Sequence, residues 1–180
     1  MKNLGILLML AIGLSSVNGQ EKLTTRTGKT TFISETPVEN IYAESNQSAS
    51  IFVVGENKIV FNVLLKSFKF EKALMEEHFN EKYVHSDTYP AAKFKGTISK
   101  DIDTEKPQIY KDVQINGSMI FHGVTKPLIV LADIEVKEDH VLSFLSTFKL
   151  KLEDYNVEIP SLVKDKIAED IEITFAANYN

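Results

Sequence analysis

Apolar and polar residues alternate along most of this chain with a period of two. Ile59, Phe61, Val63 and Leu65 share one parity, with mixed neighbours at Val60, Asn62, Leu64 and Lys66. Ala92, Phe94, Gly96 and Ile98 fall opposite Lys93, Lys95, Thr97 and Ser99. Ile109, Val113, Ile115, Met119 and Phe121 fall opposite Tyr110, Asp112, Gln114, Asn116 and Ser118. Leu128, Val130, Ala132, Ile134 and Val136 repeat the pattern, followed by Leu142, Phe144, Phe148, Leu150 and Leu152, and finally Ile171, Ile173, Phe175 and Ala177. Successive side chains of an extended chain point to opposite faces, so these runs predict half-buried antiparallel strands. Weaker runs predict strands at Lys29–Ser34, Ile41–Ala43 and Ser50–Val54, with Glu35–Ser50 a polar loop around one short strand.

Turn-forming residues separate the runs at Gly55–Asn57, Lys100–Pro107, His122–Lys126 and Lys137–His140. Roughly eight strands joined by hairpins suggest a sandwich or an up-and-down barrel, and closing a barrel removes exposed edges. Two segments have a different period. In Lys72–Tyr83, Met75, Phe79 and Tyr83 recur every four residues with Leu74 beside them, which predicts a short amphipathic helix on the barrel or over its mouth. Pro90 biases Tyr89 to an extended conformation. Ser161 is read as the N-cap of a second short helix reaching about Glu169, with Val163 and Ile167 inward.

The N-terminus changes what counts as the folded chain. A cationic Met1–Asn3, an apolar Leu4–Leu14 and a small, polar Ser15–Gln20 read as a secretory signal peptide covering residues 1–19. The apolar run is too short to span a bilayer core of ~30 Å as a helix. Residues 20–180 then form one domain, and losing Lys2 moves the formal charge from −5 to −6. No basic stripe supports nucleic-acid binding. With no cysteine in the chain, disulfides, thiol chemistry and thiolate zinc sites are excluded.

Candidate chemistry is sparse. His78 and His85 are seven apart and near Glu76, Glu77 and Asp87, but no dense two-histidine motif occupies one helical turn. His122 ends a strand and His140 sits in a hairpin, both read as solvated or capping. No Gly-x-Ser-x-Gly elbow or phosphate-cradling glycine loop precedes a helix. Glu76-Glu77 and Glu138-Asp139 read as solvated charge. The inward phenylalanines are the unusual feature. Most belong to packing in any fold, while an eight-stranded barrel is also wide enough to hold one small or elongated ligand.

The run Glu77-His78-Phe79, then Tyr83, Ser86-Asp87-Thr88-Tyr89-Pro90 and Ala91–Gly96, stands in a definite order. Gly117–Phe121 with Gly123-Val124-Thr125-Lys126-Pro127, Asp154-Tyr155-Asn156-Val157 and Ile171–Phe175 follow. Over about residues 59–175 this order resembles the YceI-like family of lipid-binding, lipocalin-like barrels, as a divergent branch. The family's opening Tyr-x-Ile-Asp element and following His-Ser pair have no counterpart before residue 60.

The resemblance implies an all-β fold, an antiparallel and roughly eight-stranded lipocalin-like barrel with one or two short helices. It implies periplasmic or secreted placement, no catalysis and no cofactor. The implied function is sequestering or carrying a long apolar ligand, a polyisoprenoid, quinone-like molecule or fatty lipid. Ligand contact is expected from Phe61, Val63, Phe68, Phe70, Leu74, Phe94, Met119, Phe121, Phe144 and Phe148. Phe68 breaks the inward parity of Phe61 unless the strand bulges. His78, Tyr83 and Tyr89 border the expected helix and are assigned to the cavity mouth. The expected partners are an amphiphilic or isoprenoid lipid and, as an open option, a second copy in a homodimer. No nucleic acid, metal or stable membrane span is expected. Two other readings compete: a solidly packed barrel serving as an interaction or stress module, and a hydrolase or metal enzyme built on a buried polar cluster.

Overall fold

A computed structural model describes residues 21–179, and the expected signal peptide at residues 1–19 lies outside them. The elements are β1 (Lys22–Glu35), β2 (Asn40–Val53), β3 (Lys58–Leu64), β4 (Lys69–Phe70), α1 (Ala73–His78), β5 (Ala91–Ile98), β6 (Gln108–Phe121), β7 (Val124–Val136), β8 (Leu142–Lys151) and β9 (Asp170–Tyr179). The hydrogen-bonded order is β1-β9-β8-β7-β6-β5-β3-β2, and β2 pairs back to β1. Every pairing is antiparallel, so eight strands close into a barrel and the two-residue β4 adds a short edge to β2. Closure pairs all the long strands on both sides and leaves none as a free edge. Among the described residues no helix is long and apolar enough to cross a membrane.

The strands at the N-terminus are longer than their sequence pattern suggests. Ile41–Ala43 and Ser50–Val53 belong to one 14-residue strand, β2, Val54 opens a 3-10 turn after it, and residues 36–39 alone form the turn before it. Thr36 fixes that turn: its Oγ1 accepts from the Glu39 N–H and donates to the Glu39 carbonyl, both at 3.0 Å. The inward residues of β2 are Ala43, Ser45, Ser48, Ser50 and Phe52, all buried. Serines therefore hold positions where other strands place aliphatic groups, and their hydroxyls find internal partners, as buried polar groups must.

A bulge in β6 shifts the parity expected there. The pairing with β7 slips between Tyr110 and Val113, and Asp112 has φ +50°. Lys111 and Asp112 both face out, so Tyr110 is buried and Ile109 is 59 % exposed, the reverse of strict alternation.

The expected helix over Lys72–Tyr83 is present in two parts. α1 ends at His78, and a wider turn over Phe79–Tyr83 closes with the Val84 N–H donating to the Phe79 carbonyl at 2.9 Å. The second expected helix, Ser161–Glu169, reduces to one 3-10 turn at Ser161–Val163. The Ala168 N–H donates to Ser34 Oγ at 2.8 Å instead of to a helical carbonyl, which ties this segment to the end of β1.

Candidate functional site

The barrel is packed at one end and hollow at the other. At the packed end Phe52, Ile59, Ile98, Ile115, Ile134 and Leu142 are each 2 % exposed or less. None of them borders the cavity of about 480 Å³ that occupies the other end. That volume lies within the ~300–1,000 Å³ of small-molecule sites.

An aromatic floor separates the two halves. The Phe61 ring lies 4.2 Å from Phe175, 4.9 Å from Phe144 and 5.9 Å from Phe94, centroid to centroid. Phe61, Phe94 and Phe175 face the cavity, and Phe144 packs beneath them. A second cluster forms one wall. Phe32 of β1 touches Phe68, Phe70 and Phe79 at 5.3, 5.6 and 5.4 Å. Phe79 follows α1 directly, so this cluster fastens the helix to the barrel and places it along the cavity. The mouth lies between the β1–β2 turn, the start of α1 and the 161–168 segment, where Glu39, Lys72, Leu74, Val163, Lys166 and Ile167 border the cavity.

Of the ten residues expected from sequence to touch a ligand, nine border this space: Phe61, Val63, Phe68, Phe70, Leu74, Phe94, Met119, Phe121 and Phe148. Phe144 is set behind the floor and does not. Phe68 reaches the cavity because a 3-10 turn at Leu65–Ser67 interrupts the strand and resets its parity. Leu74 borders the cavity yet is 60 % exposed, so it stands on the rim and not beneath the helix. His78 and Tyr83 border the cavity; Tyr89 stacks edge-on against His122 at 4.7 Å, outside it. Phe32, Phe79, Phe175, Leu150 and Ile173 also border the cavity and stand outside the expected contact set, although Phe175 is among the inward aromatics of the sequence. Parity alone marks four of these as inward and helical spacing marks Phe79; nothing in either pattern says which inward residues face a void.

Two polar groups of the wall, Thr30 and Ser34, have internal partners. Thr30 Oγ1 and Ser48 Oγ are 2.6 Å apart, and Ser34 Oγ accepts from Ala168. Burial pushes the Tyr83 phenol above its ordinary value, keeping it neutral at physiological pH. Charge is confined to the mouth, where Lys72 Nζ lies 3.3 Å from Glu39 Oε1 and Lys82 Nζ donates to His78 Nε2 at 3.0 Å. An apolar interior with a polar opening suits a molecule with one long apolar part and a small polar end.

The other histidines lie away from the cavity. His85 Nδ1 is 2.9 Å from His122 Nε2, and His122 Nδ1 donates to the Tyr155 carbonyl at 2.9 Å. His122 thus joins the loop after α1, the β6–β7 turn and the segment after β8. His140 sits in the β7–β8 turn, its N–H donating to the Lys137 carbonyl.

Comparison with known proteins agrees with this architecture. The chain is 32 % identical over 107 residues to the UPF0312 protein plu2095 of Photorhabdus laumondii, a match covering 56 % of the chain. The chain spans about half the length of that curated relative, 52 %. A polyisoprenoid-binding domain from Saccharophagus degradans, implicated in plant cell wall breakdown, superposes with a TM-score of 0.73 at 12 % identity. That likeness covers 88 % of this chain and 97 % of the other. Burkholderia cenocepacia BcnA superposes with a TM-score of 0.69 at 14 % identity over 85 % and 96 % of the two chains. The Campylobacter jejuni YceI protein covers 100 % of this chain and 99 % of its own, at a TM-score of 0.56 and 15 % identity. At these identities the structures speak for the fold. The sequence profile of the YceI-like domain matches residues 12–179, well beyond the 59–175 stretch that carries the visible motifs, and the chain belongs to the YceI-like domain family.

Proposed function

We propose that this protein binds one long apolar lipid in the hollow half of the barrel and carries or sequesters it outside the cytoplasm. The observation that carries this reading is the cavity of about 480 Å³ above the Phe61–Phe94–Phe175 floor, with its charged groups confined to the mouth. Moving a methylene from water into such a space is favourable by ~0.8 kcal/mol, so a chain of several methylenes supplies the affinity and the mouth supplies the orientation. The Saccharophagus degradans domain of like fold is described as polyisoprenoid-binding, which supports a polyisoprenoid or a quinone-like or fatty relative as the ligand class here. The contacts proposed are the nine cavity-facing residues foreseen from sequence together with Phe32, Phe79 and Phe175, with His78 and Tyr83 near the polar end of the ligand. Placement in the periplasm or outside the cell rests on the signal-like pattern of residues 1–19. The reading involves binding alone and assigns no chemical step.

Native mass spectrometry of protein exported from its own kind of host, followed by solvent extraction, tests it. A discrete adduct released as a long-chain isoprenoid or lipid is the expected result. A clean apo mass, with no uptake when quinones, prenols and fatty acids are offered, overturns it and favours an interaction module.

A further inference from the structure

Three large apolar side chains stand in solvent around the mouth. Val38 is 57 % exposed, Leu74 60 % and Leu162 91 %. A single exposed leucine needs no explanation, but convergence of several at one opening does. They come from three segments distant in sequence: the β1–β2 turn, α1 and the 3-10 turn after β8. Two contacts hold those segments together. The Lys72–Glu39 ion pair joins the start of α1 to the β1–β2 turn, and the Ala168–Ser34 hydrogen bond joins the 161–168 segment to the end of β1. Leu74 itself borders the cavity, while Val38 and Leu162 each adjoin a residue that does, Glu39 and Val163. The apolar surface of the cavity therefore reaches the outside of the molecule at Leu74, with Val38 and Leu162 exposed on the two neighbouring segments of the mouth.

The charges around these points select the occupant. Residues 35–39, 69–78 and 161–169 hold seven carboxylates and four lysines. Three of the carboxylates, Glu39, Glu76 and Glu169, pair with Lys72, Lys69 and Lys164. The remaining excess is acidic, which disfavours an anionic headgroup layer. It also disfavours a second copy of this chain, because a two-fold contact sets the same acidic rim against itself. A zwitterionic bilayer offers neither penalty and accepts apolar side chains at its interface.

We propose that the mouth docks on a zwitterionic lipid bilayer through Val38, Leu74 and Leu162, so that a long apolar ligand passes between membrane and barrel without crossing water. The proposal rests on the lipid-binding reading above. Three anchors on three segments define a plane, and the cavity opens between them.

The test uses the full chain and phosphatidylcholine vesicles carrying a fluorescent prenol. The first measurement is the rate of prenol uptake from vesicles. The second is loading by dilution of the prenol from ethanol, with no membrane present. The variant is Val38→Ser combined with Leu162→Ser, which leaves every cavity-facing residue intact. The expected result is uptake from vesicles slowed roughly tenfold, since two apolar anchors no longer enter the interface, with loading from ethanol unchanged. Leu162→Trp is expected to speed uptake from vesicles, because tryptophan favours the headgroup region. Replacing part of the phosphatidylcholine by phosphatidylglycerol is expected to slow uptake by the unmodified protein. Equal vesicle uptake by all forms that load normally from ethanol overturns the docking proposal and leaves the lipid reading standing. Loss of self-association in the double variant with no change in vesicle uptake overturns it in favour of a second copy. No loading of the unmodified protein by either route overturns the lipid reading, and docking with it.

Discussion

The hydroxyls of Ser50 and Tyr179 meet at 2.6 Å although 129 residues separate them along the chain. Ser50 Oγ also donates to the Val60 carbonyl at 2.9 Å. A carbonyl only accepts, so the proton order is fixed: Tyr179 donates to Ser50, and Ser50 donates to Val60. These residues lie on β9, β2 and β3, and β1 runs between the first two. The relay therefore spans the seam where the first and last strands close the barrel, at its packed end. Tyr179 is wholly buried, and that burial pushes its phenol well above the ordinary value, outweighing the opposing effect of Ser50.

Removing either end of this relay has unequal consequences. Ser50→Ala leaves the buried phenol without an acceptor and is expected to cost about 1–3 kcal/mol. Tyr179→Phe keeps the Ser50–Val60 bond and is expected to cost about 0.5–1.5 kcal/mol. Urea denaturation measures both, and the reverse order would show that Ser50 does not hold its proton on the Val60 carbonyl. The raised phenol also sets a pH dependence. Its stabilisation is fully present below the unfolded value of about pH 10 and is lost as pH rises from there toward the folded value. Stability measured above about pH 10 should therefore fall less steeply in Tyr179→Phe than in the unmodified protein.

The aromatic floor depends on two glycines that face each other. Gly96 of β5 pairs directly with Gly117 of β6, and the Phe94 ring lies over both. A Cβ on Gly96 would stand 2.7 Å from Phe94 Cε1 and from Ile115 Cγ2, two side chains with some freedom to move. A Cβ on Gly117 would stand 2.5 Å from Phe94 Cζ and would also collide with the Lys95 carbonyl, which cannot move without breaking the ladder. Gly117→Ala should therefore destabilise more than Gly96→Ala, which should itself cost about 1–3 kcal/mol. Phe94→Leu should recover part of the loss in Gly96→Ala and little of that in Gly117→Ala. Thermal unfolding of the two double-mutant cycles checks this, and equal rescue would mean that the ring alone sets the limit.

Legibility of the fold follows the chemistry of the inward positions. From Ile59 onward these are mainly Ile, Val, Leu and Phe, and the pattern gives strands, hairpins and closing segments directly. β2 is obscured because Ser45, Ser48 and Ser50 face inward with hydroxyl partners at Ser67, Thr30 and Tyr179. Those pairings join positions many residues apart, and no local pattern announces them. The Ile109–Tyr110 parity fails for a different reason: one extra outward residue at the bulge shifts everything before it. The site was legible as a set of inward aromatics but not as a space. Phe52 and Phe61 look alike in sequence, yet one lies in the packed half and the other floors the cavity. The difference comes from which end of the barrel receives α1 and the 152–169 connection.

The bulge in β6 is a local test of that reasoning. Asp112 adopts φ +50°, donates its N–H to Asp133 Oδ1 at 3.1 Å, and its neighbour Lys111 pairs with Asp133 Oδ2 at 2.7 Å. Lys111 and this backbone N–H together hold the Asp133 carboxyl below the usual carboxylate value. Left-handed backbone suits glycine and tolerates aspartate, but strains a β-branched residue by about 1–2 kcal/mol. Asp112→Gly is therefore expected to be neutral or slightly stabilising, and Asp112→Val destabilising by that amount. Denaturant unfolding of the two variants provides the check, and a neutral Asp112→Val would mean that the bulge relocates when challenged.

Packed and hollow halves predict opposite responses to the same enlargement. Ala132 lies in the packed half, 2 % exposed and away from the cavity, whereas Ala92 borders the cavity beside its cross-strand partner Val63. A phenyl ring added at Ala132 has no void to enter and should cost about 1–3 kcal/mol or more. The same ring at Ala92 projects into existing space and gains apolar contact, so stability should change by less than about 1 kcal/mol or rise. If the cavity holds the lipid, the two variants also separate in binding. Ala92→Phe should carry far less extractable ligand than the unmodified protein while remaining folded, and Ala132→Phe should retain ligand in proportion to the protein that folds. Equal destabilisation of both variants would mean that the cavity closes in solution. A stable Ala92→Phe with undiminished lipid would place the ligand elsewhere on the molecule, because a ring in the cavity and a chain in the same space exclude each other.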